Sequence, residues 1–430
     1  MTTSRRAFLG ALGAGVLAAA TGCGTGGGGT GASTDALTVW FPGNSAPEIE
    51  LVTGKLVPEF RAAHGAKVEV TFVDWGQISP KLNAGFAGNS APDVFGHGPA
   101  AAAGFAASGR IEPLDARFGA LPAADREDLA PYLDGGKVDG KQYMLPLVAA
   151  GVLVAYRKDL LEEAGVKEPA TWDEAREAAG RLTVRDGGKV TRAGLVLQSA
   201  KTQRVQSFQA LIGSEGGALL SPDGRQITWN SPEGVKALEY FAGLYAGGSA
   251  VSNLLGADFA NQPAAQNPLA TGRAAMASAT TGQVLQIVKA RPDLAGKIGV
   301  LKPLKARTAT TFGGATTGLF INADSGNKTL AWKFLEFMAS RGVADRYAET
   351  TGALPIRSSS GQSAYVTGQP LLKPFIDATP AYTGSPNVPS WVPVREVLDK
   401  HLERALAGKA SPRRALDDAA AEARPLLAGK

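Results

Sequence analysis

Cysteine is almost missing from this chain, with one residue, Cys23, in 430. A single cysteine excludes an internal disulfide and a cysteine-built zinc site. Histidine is nearly as scarce, and only His64, His97 and His401 are present. His64 and His401 are both expected on solvent-facing helix sides. No G-x-S-x-G elbow, H-E-x-x-H pair or P-loop occurs, and the carboxylates form no D-x-D-x-D-G calcium loop. These gaps argue against an enzyme, a metal site or a cofactor. A glycoside hydrolase needs only two carboxylates, however, and Asp74 and Asp258 would be its candidates. After the N-terminal segment no apolar run approaches the about 20 residues of a membrane helix. The charge of +5, from 44 basic and 39 acidic residues, is scattered. Without a basic stripe and interleaved aromatics, nucleic acid is not an expected partner.

The most informative segment that is present is the first. MTTSRRAFLGALGAGVLAAATGC opens with Arg5 and Arg6, then a short apolar run. That shape is an export signal, expected over residues 1–22. Ser4-Arg5-Arg6-Ala7-Phe8-Leu9 resembles the twin-arginine signal. Ala20-Thr21-Gly22-Cys23 resembles a bacterial lipobox, with Ala20 in place of the usual Leu. Cys23 is therefore expected to be lipidated, although a plain cleavage site beside an incidental cysteine reads the same way. Acyl chains add about 0.8 kcal/mol per buried CH₂, so several hold a protein on a membrane. Residues 23–34, rich in Gly and Thr, read as a flexible tether. The expected location is extracytoplasmic, lipid-anchored to the cell membrane.

Roughly 395 residues remain, more than one core usually serves, so two lobes are expected. Leu37–Phe41 reads as a buried strand and Lys67–Val73 alternates as a second. Pro92–Phe95 is a third, short one. Between them lie helices carrying Ile49, Val52, Leu56 and Phe60, then Ile78, Leu82 and Phe86. This alternation predicts a parallel α/β layer. Gly151–Tyr156 is expected to start a new sheet. Thr171 and Glu174 have capping-box spacing, and Ser231-Pro232 and Ser411-Pro412 read as helix starts. Further helices are expected over Thr329–Met338 and Pro393–Ala407. Trp172 and Trp332 read as core; Trp40 and Trp229 stay ambiguous.

Several stretches together resemble the extracellular solute-binding proteins of the maltose-binding type, which serve carbohydrate ABC importers. They include Ala91-Pro92-Asp93-Val94, Ala107-Ser108-Gly109-Arg110-Ile111, Tyr143-Met144-Leu145-Pro146 and Tyr156-Arg157-Lys158-Asp159. Gly272-Arg273-Ala274-Ala275-Met276 and Thr351-Gly352-Ala353-Leu354-Pro355 follow in the family's order. The resemblance implies a two-lobed α/β fold of the type II periplasmic-binding class, with a hinge and a ligand cleft between lobes. Crossings are expected near Pro146–Ala150, Leu301–Lys305 and Leu354–Arg357. One lobe would comprise 35–147 plus 306–355 and the other 148–305 plus 356–430. It also implies a monomer that delivers a sugar to ABC permease subunits. A polyamine or ferric ion is the alternative ligand, although the dispersed tyrosines do not favour iron.

Sugar pockets need flat aromatics and a few directed polar groups, placed beyond the carboxyl ends of strands in α/β lobes. That rule singles out Asn44 and Ser45, which equally make a turn, and Trp75, which is also suited to a packed rim. The resemblance adds the loop holding His97, then Thr281 and Gln283 after the Ala-Ala-Met strand. Gly314 would admit a ligand to backbone or form a bulge. Trp391 matches a position where the family stacks sugar, against a packing role at a helix entry. No Trp follows Met276 where the family has one, which argues against a long maltodextrin.

Overall fold

The computed structural model describes residues 36–247, 250–259 and 262–429. The expected signal, the lipidation expected at Cys23 and the whole of the expected tether lie outside them.

Strands β1 (Ala36–Pro42), β2 (Lys67–Val73) and β3 (Val94–His97) are joined by helices Ala46–Leu51, Val57–His64 and Ile78–Ala87. Both neighbours of β1 run parallel to it, as the alternation predicts. The first helical stretch contains a π-helical turn, Val52–Leu56. It ends two residues before Pro58, whose missing N–H cannot complete the regular ladder. Phe41, Phe60 and Phe334 pack edge to face beneath this layer. Gly96 lets β3 lie against β1, because a Cβ there would fall 2.5 Å from Pro42 Cδ.

A short hairpin follows, β4 (Lys137–Val138) and β5 (Lys141–Gln142). Asp139 and Gly140, both at positive φ, form its turn. Next is β6 (Leu145–Arg157), a single strand of 13 residues. Gly151 therefore does not begin a new sheet. β6 serves both halves of one continuous sheet, so its early residues pair with β11 (Thr311–Ile321) and its later ones with β9 (Ala274–Thr280). The second half adds β7 (Val184–Asp186), β8 (Lys189–Val196) and β10 (Ile298–Val300), while β12 (Tyr382–Thr383) pairs with β11. Strand order along the main path is β2-β1-β3-β11-β6-β9-β8-β7.

Leu301 and Lys305 stay with the second half, donating to Val154 and Ala170 carbonyls. The chain crosses later, along β11 itself, whose last residues pair with β3. Leu354 bridges Ala149, and Arg357 ties the following segment to Asp125 and Asp128 at 2.6 and 3.1 Å.

Helices cover both halves. Trp172–Leu182 carries both halves of the Thr171/Glu174 capping box. Ser231 and Ser411 cap Pro232–Gly243 and Pro412–Leu427. Lys328–Ala339 replaces the expected Thr329–Met338, and Trp391–Leu406 starts two residues earlier than expected. Trp172 and Trp332 are core residues, and so is Trp229. Trp40 is half-buried, with the Lys81 ammonium 4.6 Å from its ring. His64 is exposed as expected. His401 is not, being only 4% exposed and held 2.9 Å from Glu422. The helix Pro412–Leu427 covers its face, which periodicity on its own helix does not reveal.

Candidate functional site

The sheet register locates a gap. β3 ends at His97, level with Gly318 and through it Pro146 on β6. β9 ends at Thr280, level with Val152 of the same strand. β3 runs in the same direction as β6 and β9 runs against it, so their carboxyl ends point towards each other. Six residue steps along β6 separate them, at most about 20 Å at 3.3 Å per residue. The floor between is Ala149-Ala150-Gly151 beside Gly313-Gly314-Ala315. Small side chains leave that floor low. Two of its glycines are packing residues: a Cβ on Gly151 would sit 1.9 Å from Tyr382 Oη, and one on Gly313 2.5 Å from its ring. Gly314, at φ 113°, meets nothing within 4 Å, and the register shifts begin one residue beyond it.

On one bank the structure brings together Asn44, Trp75 and His97, from three separate strand ends. Gly43 donates to the Val73 carbonyl at 2.7 Å, closing β1 onto β2. Asn44 Nδ2 donates to Asp74 Oδ2 at 3.2 Å, and Gly76 N donates to Asp74 Oδ1 at 2.8 Å. This turn displays Trp75, which is 48% exposed. Ser45 is exposed beside it. The Trp75 ring stands edge to face on His97, with centroids 6.2 Å apart, and Phe105 packs against the imidazole at 5.7 Å. Both imidazole nitrogens are engaged, Nε2 with Ser79 Oγ at 2.8 Å and Nδ1 with the Gly98 carbonyl at 3.4 Å. Burial pushes its pKa below the ordinary 6.5, partly countered by the Gly98 carbonyl. With both nitrogens occupied, the imidazole supports Trp75 and has little left to offer a ligand.

On the opposite bank Thr280 caps the helix Thr281–Ala290, and Gln283 completes a capping box. Gln283 Oε1 accepts from Thr280 N and from Gln198 Nε2, both at 2.9 Å. Gln283 is thus committed to holding the helix start. Thr281 is 1% exposed, with its hydroxyl buried and without a hydrogen-bond partner among the described residues. Trp391 differs most from expectation. It is the first residue of its helix, lies 1% exposed in the core with Val394 and Leu398, and its indole N–H is buried without an acceptor among the described residues. Because the helix begins at Trp391, its face turns inward and presents no platform in this conformation.

Glu48 was not legible as a site residue. Ser45-x-x-Glu48 has the spacing of a helix cap, yet Ser45 makes no side-chain cap bond. Glu48 Oε1 instead accepts from the hydroxyl of Tyr347, 299 residues away. Burial pushes the carboxyl above its ordinary 4.5, and the Tyr347 bond pulls it partly back. Stretches 43–48, 74–79, 97–98, 280–283 and 313–315 contain no Lys or Arg. No group of three or more metal-ligating side chains is found among the described residues. A separate groove of about 1330 Å³ is lined by Lys137, Tyr143, Gln209 and residues 217–225 and 386–390, and includes none of the strand-end residues.

The family model for bacterial extracellular solute-binding proteins matches residues 46–345. The chain belongs to this family. This solute-binding protein is 29% identical over 205 residues to the diacetylchitobiose binding protein DasA of Streptomyces coelicolor, covering 47% of this chain and 45% of that one. Its fold matches the GacH receptor of Streptomyces glaucescens, with TM-score 0.75, 26% identity, and 91% and 98% of the two chains covered. It also matches the sugar-binding protein MalE of Xanthomonas citri, with TM-score 0.79, 22% identity, and 92% and 98% covered. The architecture is therefore the two-lobed, maltose-binding type. The family and these neighbours are binding proteins. No helix among the described residues is long and apolar enough to cross a membrane.

Proposed function

We propose that this solute-binding protein captures a mono- or oligosaccharide in the gap between the facing strand ends and hands it to the permease of an ABC importer. The observation that carries the reading is the exposed, braced Trp75 on one bank of a glycine- and alanine-floored gap. A flat aromatic with polar neighbours matches a sugar's apolar face and polar edge. The lobes proposed are 35–147 plus 306–355 and 148–305 plus 356–430. They would close about β6, β11 and the segment after Gly352, as hinge-closing binding proteins do. DasA, a diacetylchitobiose binding protein, and GacH, whose structures include a complex with acarbose, support a sugar. Cys23 is proposed as the lipid-bearing residue that keeps the protein at the outer face of the membrane.

The test is a thermal-shift screen of the purified protein. The panel is diacetylchitobiose, maltose, acarbose, mannitol, sn-glycerol 3-phosphate, spermidine and ferric citrate. A ligand at a hundredfold excess over Kd adds about 2.7 kcal/mol. Stabilisation by a neutral sugar or polyol, with no product released, is the expected result. A response only to spermidine or ferric citrate overturns it.

A further inference from the structure

The floor of the gap has a covered back. Gly313 pairs with Gly151 and Gly314 with Ala150, and consecutive strand residues turn to opposite faces. Tyr382 lies against Gly151 and Gly313 on one face, while Gly314 looks out freely on the other. A ligand that reaches the floor enters from the Gly314 face, and the chain that carries Tyr382 runs behind it. That chain, residues 382–390, is a strap anchored in the second half. The Gly384 carbonyl accepts from the Gln209 side chain, and Val388 packs against the core cluster that holds Trp391 and Leu398. Between these anchors the Asn387 amide reaches the first half. Its Oδ1 accepts from Ala103 N at 3.0 Å, and its Nδ2 donates to the carbonyls of Lys137 at 2.7 Å and Gly135 at 3.5 Å. One side chain thus ties the strap to both a helix and a hairpin of the opposite half.

We propose that Asn387 is a latch behind the hinge, which holds the two lobes in the open, ligand-free arrangement and so sets the affinity for the ligand. This rests on the hinge-closing reading of the proposed function. Lobes that swing together in front of β6 and β11 swing apart behind them, so the Asn387 bonds belong to the open form and are lost in the closed one. A contact made in only one of two states biases the equilibrium between them. Apparent affinity in turn scales with the fraction of the protein in the binding-competent state. All three partners of Asn387 are backbone groups, so the strength of the latch is set by the side chain at position 387. A groove of about 1330 Å³ lined by Lys137 and Asn387 lies alongside. Water entering from it replaces the amide at these groups, which keeps the net worth of each bond modest. The latch is therefore a bias that ligand binding overcomes.

The experiment compares wild type, Asn387→Ala and Asn387→Asp by calorimetric titration with the panel's tightest ligand. Small-angle X-ray scattering of the wild type, with and without that ligand, reports closure. Asn387→Ala removes all three bonds, and the expected result is binding about three- to thirtyfold tighter than wild type. Asn387→Asp keeps the acceptor for the Ala103 N–H and loses both donations to carbonyls. A gain of the same sign is expected, and this variant stands in for Asn387→Ala if that one does not fold. Tighter binding separates a latch from a packing role, whose loss would lower the urea midpoint without raising affinity. A wild type that contracts on binding, with both variants within twofold of its affinity or weaker, overturns the latch and leaves the hinge reading intact. A wild type that binds no member of the panel, or binds one without contracting, overturns the reading on which the latch rests and the latch with it.

Discussion

Two tryptophans separate fold from function in this protein, and truncating each to alanine should give opposite results. Trp391 is 1% exposed, inside the cluster that holds Val394, Leu398, Leu402 and Trp229. Truncating a buried Trp costs about 3–5 kcal/mol in lost transfer energy and cavity. Part of this returns, because the native indole N–H is buried without an acceptor, a penalty of about 1–3 kcal/mol that the variant no longer carries. The net expectation for Trp391→Ala is a destabilisation of about 2 kcal/mol. Trp391→Phe, which retains most of the ring and deletes the N–H, should stay within about 1 kcal/mol of wild type. Trp75 is 48% exposed, and surface truncation usually shifts stability by about 0.5 kcal/mol or less. Its loss should appear in ligand affinity instead.

The assay is urea unfolding followed by far-UV circular dichroism, paired with calorimetric titration of the same preparations. A lower midpoint for Trp391→Ala with near-normal affinity in the folded fraction, and the reverse for Trp75→Ala, fits the placement of both residues. Trp391→Ala that unfolds like wild type yet loses ligand would contradict the burial of this ring in the core. It would mean that the indole faces the ligand in the functional form.

His97 gives a pH prediction. Burial holds its folded pKa below 6.5, so on acidification the unfolded chain takes up a proton before the folded one does. Stability should fall as pH drops through 6.5 towards the folded value, and His97→Gln should flatten that limb of a stability–pH curve. Gly151→Ala would place a Cβ 1.9 Å from Tyr382 Oη. It should cost about 1–3 kcal/mol by overpacking, and a second change, Tyr382→Ala, should recover part of it in a double-mutant cycle. Arg357→Met would remove the cation between Asp125 and Asp128, but Asp125 is partly exposed and Ser359 still donates to Asp128, so the expected loss, read from the urea midpoint, is about 1–2 kcal/mol. In cells, Cys23→Ala should move the protein from the membrane fraction to the soluble one; unchanged fractionation would remove the lipid anchor.

What the sequence made legible follows the range of the interactions involved. Lys67–Val73 alternates because one face of that strand is covered, so period alone locates β2. Thr171 and Glu174 are three residues apart, and their reciprocal bonds need nothing from elsewhere. Turn chemistry after β1 and β2 similarly places Asn44 and Trp75 at neighbouring strand ends, where Asn44 and Trp75's neighbour Asp74 are hydrogen-bonded. The failures are non-local except at Gln283, whose capping box with Thr280 spans only three residues. His401 looks solvent-facing on its own helix and is buried by another. Trp391 looks like a loop-edge aromatic before Pro393, but proline is compatible with the first turn of a helix, so the start moved upstream and the ring went inward. Gln283 looks like a ligand amide and is used by Thr280 and Gln198. Glu48 has the spacing of a cap and is instead claimed by Tyr347 from a distant helix. In each case a polar or aromatic side chain had two plausible partners, one near in sequence and one far. Only the folded packing decides between them, and at Glu48 it sets the carboxylate against a tyrosine 299 residues away.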